Sequence, residues 1–222
     1  MKTRSPHDPA YLAAPLSALL FAASLVLFAA IRTDGYSHAT KAVSELGSID
    51  APNAIAFNLL GFILPGLLIV TFALRIATAT GRRIGPGLLA LSGALLSLAG
   101  LARADLDNPQ SIPSILHIVG AIGSGVAWAV ALFPLGRLLV RSGMDGWGRL
   151  TPWFGMFLFA NVGWQILYQS TGTVLPGWGQ RIAFFGYFLW LAITGYLLWR
   201  GGPLPRADDW DSAGRWRKPR RP

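Results

Sequence analysis

The sequence predicts an all-α integral membrane protein: a compact bundle of six transmembrane helices, both termini cytoplasmic, with a short amphipathic helix in the first outer loop. Three observations predict it. Hydrophobic residues make up 53% of the 222 and charged ones only 13%, with a mean hydropathy of +0.47, outside the range of ordinary soluble domains. The apolar residues fall in blocks of about 20, the length that crosses a hydrocarbon core of roughly 30 Å at 1.5 Å per residue. The cations segregate as well. With the N-terminus inside, fifteen of the 19 Lys and Arg fall on cytoplasmic segments, leaving only Arg32, Lys41, Arg103 and Arg181 outside, the bias that sets orientation in membranes.

The first block, residues 12–31, follows Lys2 and Arg4 and ends near Ala29 and Ala30. It exceeds the roughly 7–15 apolar residues of a signal sequence, so it reads as a retained span. The loop after it, YSHATKAVSELGSIDAP (36–52), has a pattern of its own. Ser37 suits a helix N-cap and Gly47 a C-terminal stop. Ala39, Val43 and Leu46 share one helical face, with His38, Lys41 and Glu45 near the opposite face and Ser44 on the flank. A short surface helix, apolar side down, is the expectation.

The second span, 55–77, carries Asn58 one turn from its outer end, and the turn TGRRIG (80–85) leads into the third span, 85–102. Gly93 and Gly100 there, and Gly120, Ser124 and Gly125 in the fourth span, allow close helix approach. The second outer loop, RADLDNPQSIPSILH (103–117), supplies Asp105, Asp107 and His117, with Pro113 placed for a first helical turn. Asp107 and His117 are expected to pair. The fourth span, 113–140, is longer than a bilayer requires and has room to tilt. After the inner turn RSGMDGWGR (141–149), the fifth span, 152–169, places Asn161, Gln165, Tyr168 and Gln169 along one face. Amides cannot face lipid unsatisfied, so this stripe is expected to look into the bundle. The sixth span, 181–199, opens on Arg181. Residues 1–199 read as one transmembrane domain. Residues 200–222 read as a disordered, basic cytoplasmic tail in which Trp210 and Trp216 stand among arginines, with contact to anionic lipid as an expectation.

The sequence contains no cysteine, which excludes disulfides, thiolate metal sites and a cysteine nucleophile. Richness in Ala, Gly and Arg points to a GC-rich bacterial source and hence to the bacterial cytoplasmic membrane. The basic balance is spent on orientation, so lipids rather than nucleic acid are the expected partners.

Several elements thus deliver polar groups to the outer half of the bundle, where a pocket is expected from Glu45, Asn58, Asp107, His117, Gln165, Gln169 and Arg181. Charges are expensive there, which sets them apart from hydrogen-bonding glue between helices. Three uses are open. Arg181 with Lys41 and the amide stripe would hold a lipid headgroup or small anion, with Asp107–His117 as a proton-sensitive element. Ser44, His117 and Asp107, or Glu45, would form a nucleophile, base and orienter acting on lipid, although Ser44 lacks a nucleophile-elbow context. The third use is purely structural. A metal version would use His38, Glu45, Asp107 and His117 as nitrogen and oxygen ligands, but they lack metal-motif spacing, so no cofactor is expected.

The segments YSHATKAVSELG, FNLLGFILPGLL, DLDNPQSIPSILH and GWGQRIAFFGYFLW occur in order across the six spans. In these the chain resembles, nearly end to end, the prokaryotic six-helix family known as domain of unknown function 998 (DUF998). The resemblance singles out Tyr36, Ser44, Glu45, Asp107, His117 and Arg181. Where the family usually has a Phe-Pro-x-Asp-Pro string, this chain has ADLDN (104–108), with Asp107 as the counterpart. No established activity comes with the resemblance.

Overall fold

The computed structural model describes residues 7–169, 176–201 and 204, with the backbone alone at 168, 169 and 176. The expected tail beyond Leu204, including Trp210 and Trp216, therefore lies outside the described residues, as does the side chain of Gln169. Six long helices form the body: α1 (Ala13–Ala30), α2 (Ala54–Thr80), α3 (Ile84–Leu101), α4 (Ile112–Arg141), α5 (Asp145–Gln169) and α6 (Pro176–Gly201). No strand occurs among the described residues. All but α5 are long and apolar enough to cross a membrane. At 25 residues α5 is long enough, but Asn161, Gln165 and its tryptophans dilute its apolar character. The same polar stripe that distinguishes α5 in the sequence is what separates it from its neighbours.

Local chemistry sets the helix ends. Gly81, at φ +67°, closes α2 with its N–H on the Ala77 carbonyl (2.8 Å), as a left-handed C-terminal stop does. Ser111 caps α4, accepting from the Ser114 amide (3.4 Å), and Pro113 follows in the first turn. At the N-terminal edge of α1, Asp8 accepts from the Ala10 amide (3.0 Å) and forms an ion pair with Arg75 of α2.

The helices close a ring. Each of α2 to α6 packs against its predecessor or successor, and α1 fits between α2 and α6. Small residues permit the closest crossings. A Cβ on Gly93 would lie 2.5 Å from the Gly66 carbonyl oxygen, and one on Gly120 2.6 Å from the Ala99 nitrogen, so both positions exclude any larger side chain. Within α2, a π turn spans Leu59–Ile63. Such a turn displaces carbonyls from the regular ladder, and Ser97 of α3 donates to the Ile63 carbonyl (3.1 Å).

Aromatic side chains fill the centre. Phe21 stacks on Phe188 at 4.3 Å and approaches Phe184 at 4.7 Å, while Trp128 packs on Tyr187 at 4.9 Å. Tyr187 shares hydrogen bonds with Ser92 (2.7 Å) and Ser124 (3.5 Å), and Ser92 donates to the Ser124 carbonyl (2.8 Å). This buried hydroxyl cluster ties α3, α4 and α6 together. Trp147 donates to Thr194 (2.9 Å) and Trp190 to Thr151 (3.1 Å), joining α5 and α6. Both Trp128 and Trp190 are fully buried and serve as packing.

Candidate functional site

The described site lies at the end of the bundle that carries the 31–53 and 102–111 loops. The first loop is not the surface α-helix that its pattern suggested. Its only helical piece is the five-residue 3-10 turn Val43–Gly47. The reason is visible in its carbonyls, two of which are turned toward α6 instead of closing helical hydrogen bonds. The Ala39 carbonyl accepts from the Trp178 amide (3.3 Å). That of Lys41 accepts from Arg181 Nη1 (2.9 Å). The Ala42 carbonyl, which accepts the Glu45 amide of the 3-10 turn (3.2 Å), also accepts from the Tyr36 hydroxyl within the loop (3.1 Å).

The first turn of α6 fits this loop residue by residue. A Cβ on Gly177 would lie 2.4 Å from the His38 carbonyl oxygen and 2.7 Å from those of Ala39 and Lys41. Only glycine lets the loop backbone rest there. Gly179 leaves room for Gln165 of α5, whose amide carbon lies 2.2 Å from where a Cβ would stand. Gln180 accepts from the Val43 amide at 2.8 Å. Arg181 then distributes its guanidinium among four acceptors: Tyr36 Oη (2.6 Å), His38 Nδ1 (3.0 Å), and the Lys41 and Gly177 carbonyls (2.9 Å each).

The Tyr36 ring is flanked by two guanidinium groups, with Arg32 at 5.6 Å and Arg181 at 5.7 Å from its centroid, close enough for cation–π attraction. Burial pushes the Tyr36 phenol above its usual pKa, opposed by Arg181. The phenol therefore keeps its proton and donates it to the Ala42 carbonyl while accepting from Arg181. Burial, and then the Arg181 charge, hold His38 below its usual pKa. His38 is neutral when Nδ1 accepts from Arg181, so its proton sits on Nε2.

The charges beside this clasp are paired, with one exception. Arg32 forms an ion pair with Asp34, and Lys41 Nζ lies 3.2 Å from Glu45 Oε2. Glu45 Oε1 reaches back to the Ala42 amide (2.8 Å), stabilising the start of the 3-10 turn as the acidic partner of a capping box does. Asn58 donates to the Gly47 carbonyl (2.8 Å). Its buried Oδ1 has no hydrogen-bond donor among the described residues and presses on Gly47, where a Cβ would come within 2.3 Å. Arg181 is the exception, since among the described residues every acceptor of its guanidinium is neutral.

The second loop is organised differently from the expected Asp–His pair. Asp107 is exposed, and its amide donates to Asp105 Oδ1 (3.1 Å) in a turn that also takes the Asn108 amide (3.1 Å). His117 is buried beneath it, with Nδ1 2.8 Å from the Ala99 carbonyl and 3.1 Å from that of Ala102. Two carbonyls can only accept, so Nδ1 carries the proton and the ring caps the last turn of α3, where carbonyls lack helical partners. Ser114, not His117, fixes the loop: its hydroxyl meets the Asp105 amide (2.9 Å) and the Asp105 and Asn108 carbonyls (3.1 and 3.2 Å). The two loops join where the Ile49 amide donates to the Ala104 carbonyl (2.9 Å).

The expected pocket thus divides. Glu45, Asn58 and Arg181, with Tyr36, His38 and Lys41, share one interlocked loop. Gln165 lies on its α5 side and donates to Asn161 (2.7 Å). His117 and Asp107 belong to separate structural roles on the α3–α4 side. No hydrogen bond among the described residues joins Ser44, His117 and Asp107 into a nucleophile–base–orienter chain. Nor do three His, Asp or Glu side chains gather among the described residues as a metal would require, so His38, Glu45, Asp107 and His117 are not one ligand set. Sequence reasoning passed over Gly177 and Gln180. Their signal was present in the compact string GWGQR at the start of a helix, where Gly177, Trp178, Gln180 and Arg181 all contact the loop.

Fold and site together define a helical protein with the length and apolarity of a multi-pass membrane protein, closed at one end by a loop locked onto its last helix. A family model described as "Protein of unknown function (DUF998)" matches residues 15–197, and the chain belongs to that family. The motifs YSHATKAVSELG and GWGQR, far apart in the sequence, are the two halves of the clasp. No curated protein and no solved structure matches the chain.

Proposed function

We propose that this is a six-span protein of the bacterial cytoplasmic membrane, with both termini inside, whose outer clasp binds the phosphate of an anionic lipid headgroup or a small anion. The orientation is supported by the Lys and Arg distribution. Membrane crossing by α5 is supported by the burial of Asn161 and its pairing with Gln165, which turn the amide stripe away from lipid.

The observation that carries the binding reading is the Arg181 guanidinium, partly buried at the head of α6 and met, among the described residues, only by neutral acceptors. A charge in such a place is costly without a counter-ion, and phosphate matches the guanidinium fork. Four of its five N–H groups are engaged. The remaining Nη2 hydrogen and the Nε2–H of exposed His38 meet no acceptor among the described residues and can meet an oxygen, with Lys41 nearby.

The structural reading, in which the clasp only seals the loop, is favoured by the number of guanidinium hydrogens already satisfied. Native mass spectrometry of the purified protein separates the two. Binding predicts retained phospholipid in the wild type, kept in Tyr36→Phe and lost in Arg181→Gln. A sealing role predicts lower stability in both variants and no selective lipid in any of them.

A further inference from the structure

At the end of the bundle opposite the clasp, α4 and α5 cross at two glycines. A Cβ on Gly136 would lie 2.8 Å from the Gly148 carbonyl oxygen, and one on Gly155 2.8 Å from that of Ala129, the register of an antiparallel pair. The residue after each glycine of the first contact is an arginine, Arg137 and Arg149. One residue turns a helix by about 100°. Because the two helices run in opposite directions, these turns carry both arginines to the same side of the crossing, away from the core. They stand nearly level, roughly 8 Å apart as packed helix axes are. Both are exposed. The ion pairs Arg32–Asp34, Lys41–Glu45 and Arg75–Asp8 lie elsewhere, and neither Arg137 nor Arg149 meets a carboxylate among the described residues, Asp145 one turn before Arg149 included. The exposed Phe133, Trp153 and Met156 lie one or two turns further into the bundle from these arginines.

We propose that Arg137 and Arg149 bind the phosphate of an anionic phospholipid in the leaflet at that end, with its acyl chains along Phe133, Trp153 and Met156. The site rests on the reading that α5 crosses the membrane, and it is independent of the clasp. Two guanidinium forks match the oxygens of one phosphate. Their aliphatic stems can lie along the apolar face while the charged heads stay at headgroup level, the level that also suits the Trp153 ring. Charge complementarity selects the occupant. A second copy of the chain, related by a two-fold axis, would bring the same arginines against each other.

The test is native mass spectrometry of the delipidated full chain, titrated with phosphatidylglycerol or phosphatidylcholine. Arg137→Gln combined with Arg149→Gln is expected to weaken phosphatidylglycerol binding roughly 25-fold, about fivefold for each basic residue, and to leave phosphatidylcholine binding unchanged. The same loss is expected in an Arg181→Gln background, where the clasp no longer contributes. Unchanged phosphatidylglycerol binding in the double variant overturns the site. So does displacement of the lipid by an equal concentration of inorganic phosphate, which would make the ligand a soluble ion. A wild-type dimer that the two substitutions dissociate overturns it in favour of a second copy. A separate arm examines α5. Phe159→Cys, the one thiol in a chain without cysteine, is expected to resist a water-soluble maleimide in phosphatidylglycerol nanodiscs. Rapid labelling overturns membrane crossing by α5 and this site with it, whereas protection with unchanged lipid affinity overturns the site alone.

Discussion

Gly177→Ala adds one methyl group at the tightest point of the clasp. In place, it would stand 2.4 Å from the His38 carbonyl oxygen and 2.7 Å from two more. A comfortable carbon–oxygen contact needs about 3.3 Å, so the loop must lift by roughly 1 Å. The obstacles are backbone atoms, which cannot swing aside as a side chain would. Lifting stretches the Trp178–Ala39 bond from 3.3 Å and the Arg181–Lys41 bond from 2.9 Å. Overpacking costs about 1–3 kcal/mol, and each weakened hydrogen bond adds about 0.5–1.5 kcal/mol. Because the site is partly exposed, a net loss of about 2 kcal/mol is expected. At about 2–4 °C per kcal/mol for a chain of this size, Tm should fall by roughly 4–8 °C. Thermal unfolding of the purified protein measures this, and tryptic cleavage after exposed Lys41 should accelerate in parallel. A variant that melts within about 1 °C of wild type, with Lys41 cut no faster, would refute the fit between loop and helix.

The clasp should also loosen in acid. His38 is held below its usual pKa of 6.5, so the unfolded chain takes up its proton first; the stabilisation is complete above about pH 6.5 and is lost as pH falls through the lowered folded value. Tryptic or thermolytic cleavage of residues 31–53 should therefore rise between pH 8 and pH 5, and His38→Gln should flatten the profile. His117→Ala leaves two carbonyls at the end of α3 without their donor and should destabilise the protein by about 1–3 kcal/mol in chemical denaturation. Asp107→Asn, on an exposed turn, should stay within about 0.5 kcal/mol in the same assay. Tyr187→Phe removes a hydroxyl from the buried Ser92–Ser124 cluster and should cost about 0.6 kcal/mol, the average for hydrogen bonds between membrane helices.

The helices were legible in the sequence because membrane thickness imposes block length and because the TGRRIG turn and Pro113 mark boundaries by local chemistry. Clusters of small residues also announced the close crossings at Gly93 and Gly120. The 36–52 loop misled because amphipathic spacing records which residues face apolar surroundings, not which hydrogen bonds the backbone makes. Its carbonyls were claimed by Trp178 and Arg181, more than a hundred residues away in the chain. Asp107 and His117 misled for a related reason. Their separation permits a pair, but the open carbonyls of Ala99 and Ala102 offered His117 a partner that no sequence pattern displays. Arg181 was visible as a costly charge, although its nearest partners, Tyr36 and the loop carbonyls, emerge only from the fold.

The binding account stands or falls on what meets the free edge of Arg181. Electron cryomicroscopy of the wild-type protein in phosphatidylglycerol nanodiscs images that point directly. The account predicts a phosphate peak within hydrogen-bond reach of Arg181 Nη2 and His38 Nε2, absent from Arg181→Gln. Resolved lipid elsewhere around the bundle, with the guanidinium enclosed by the loop and no phosphate beside it, would contradict it.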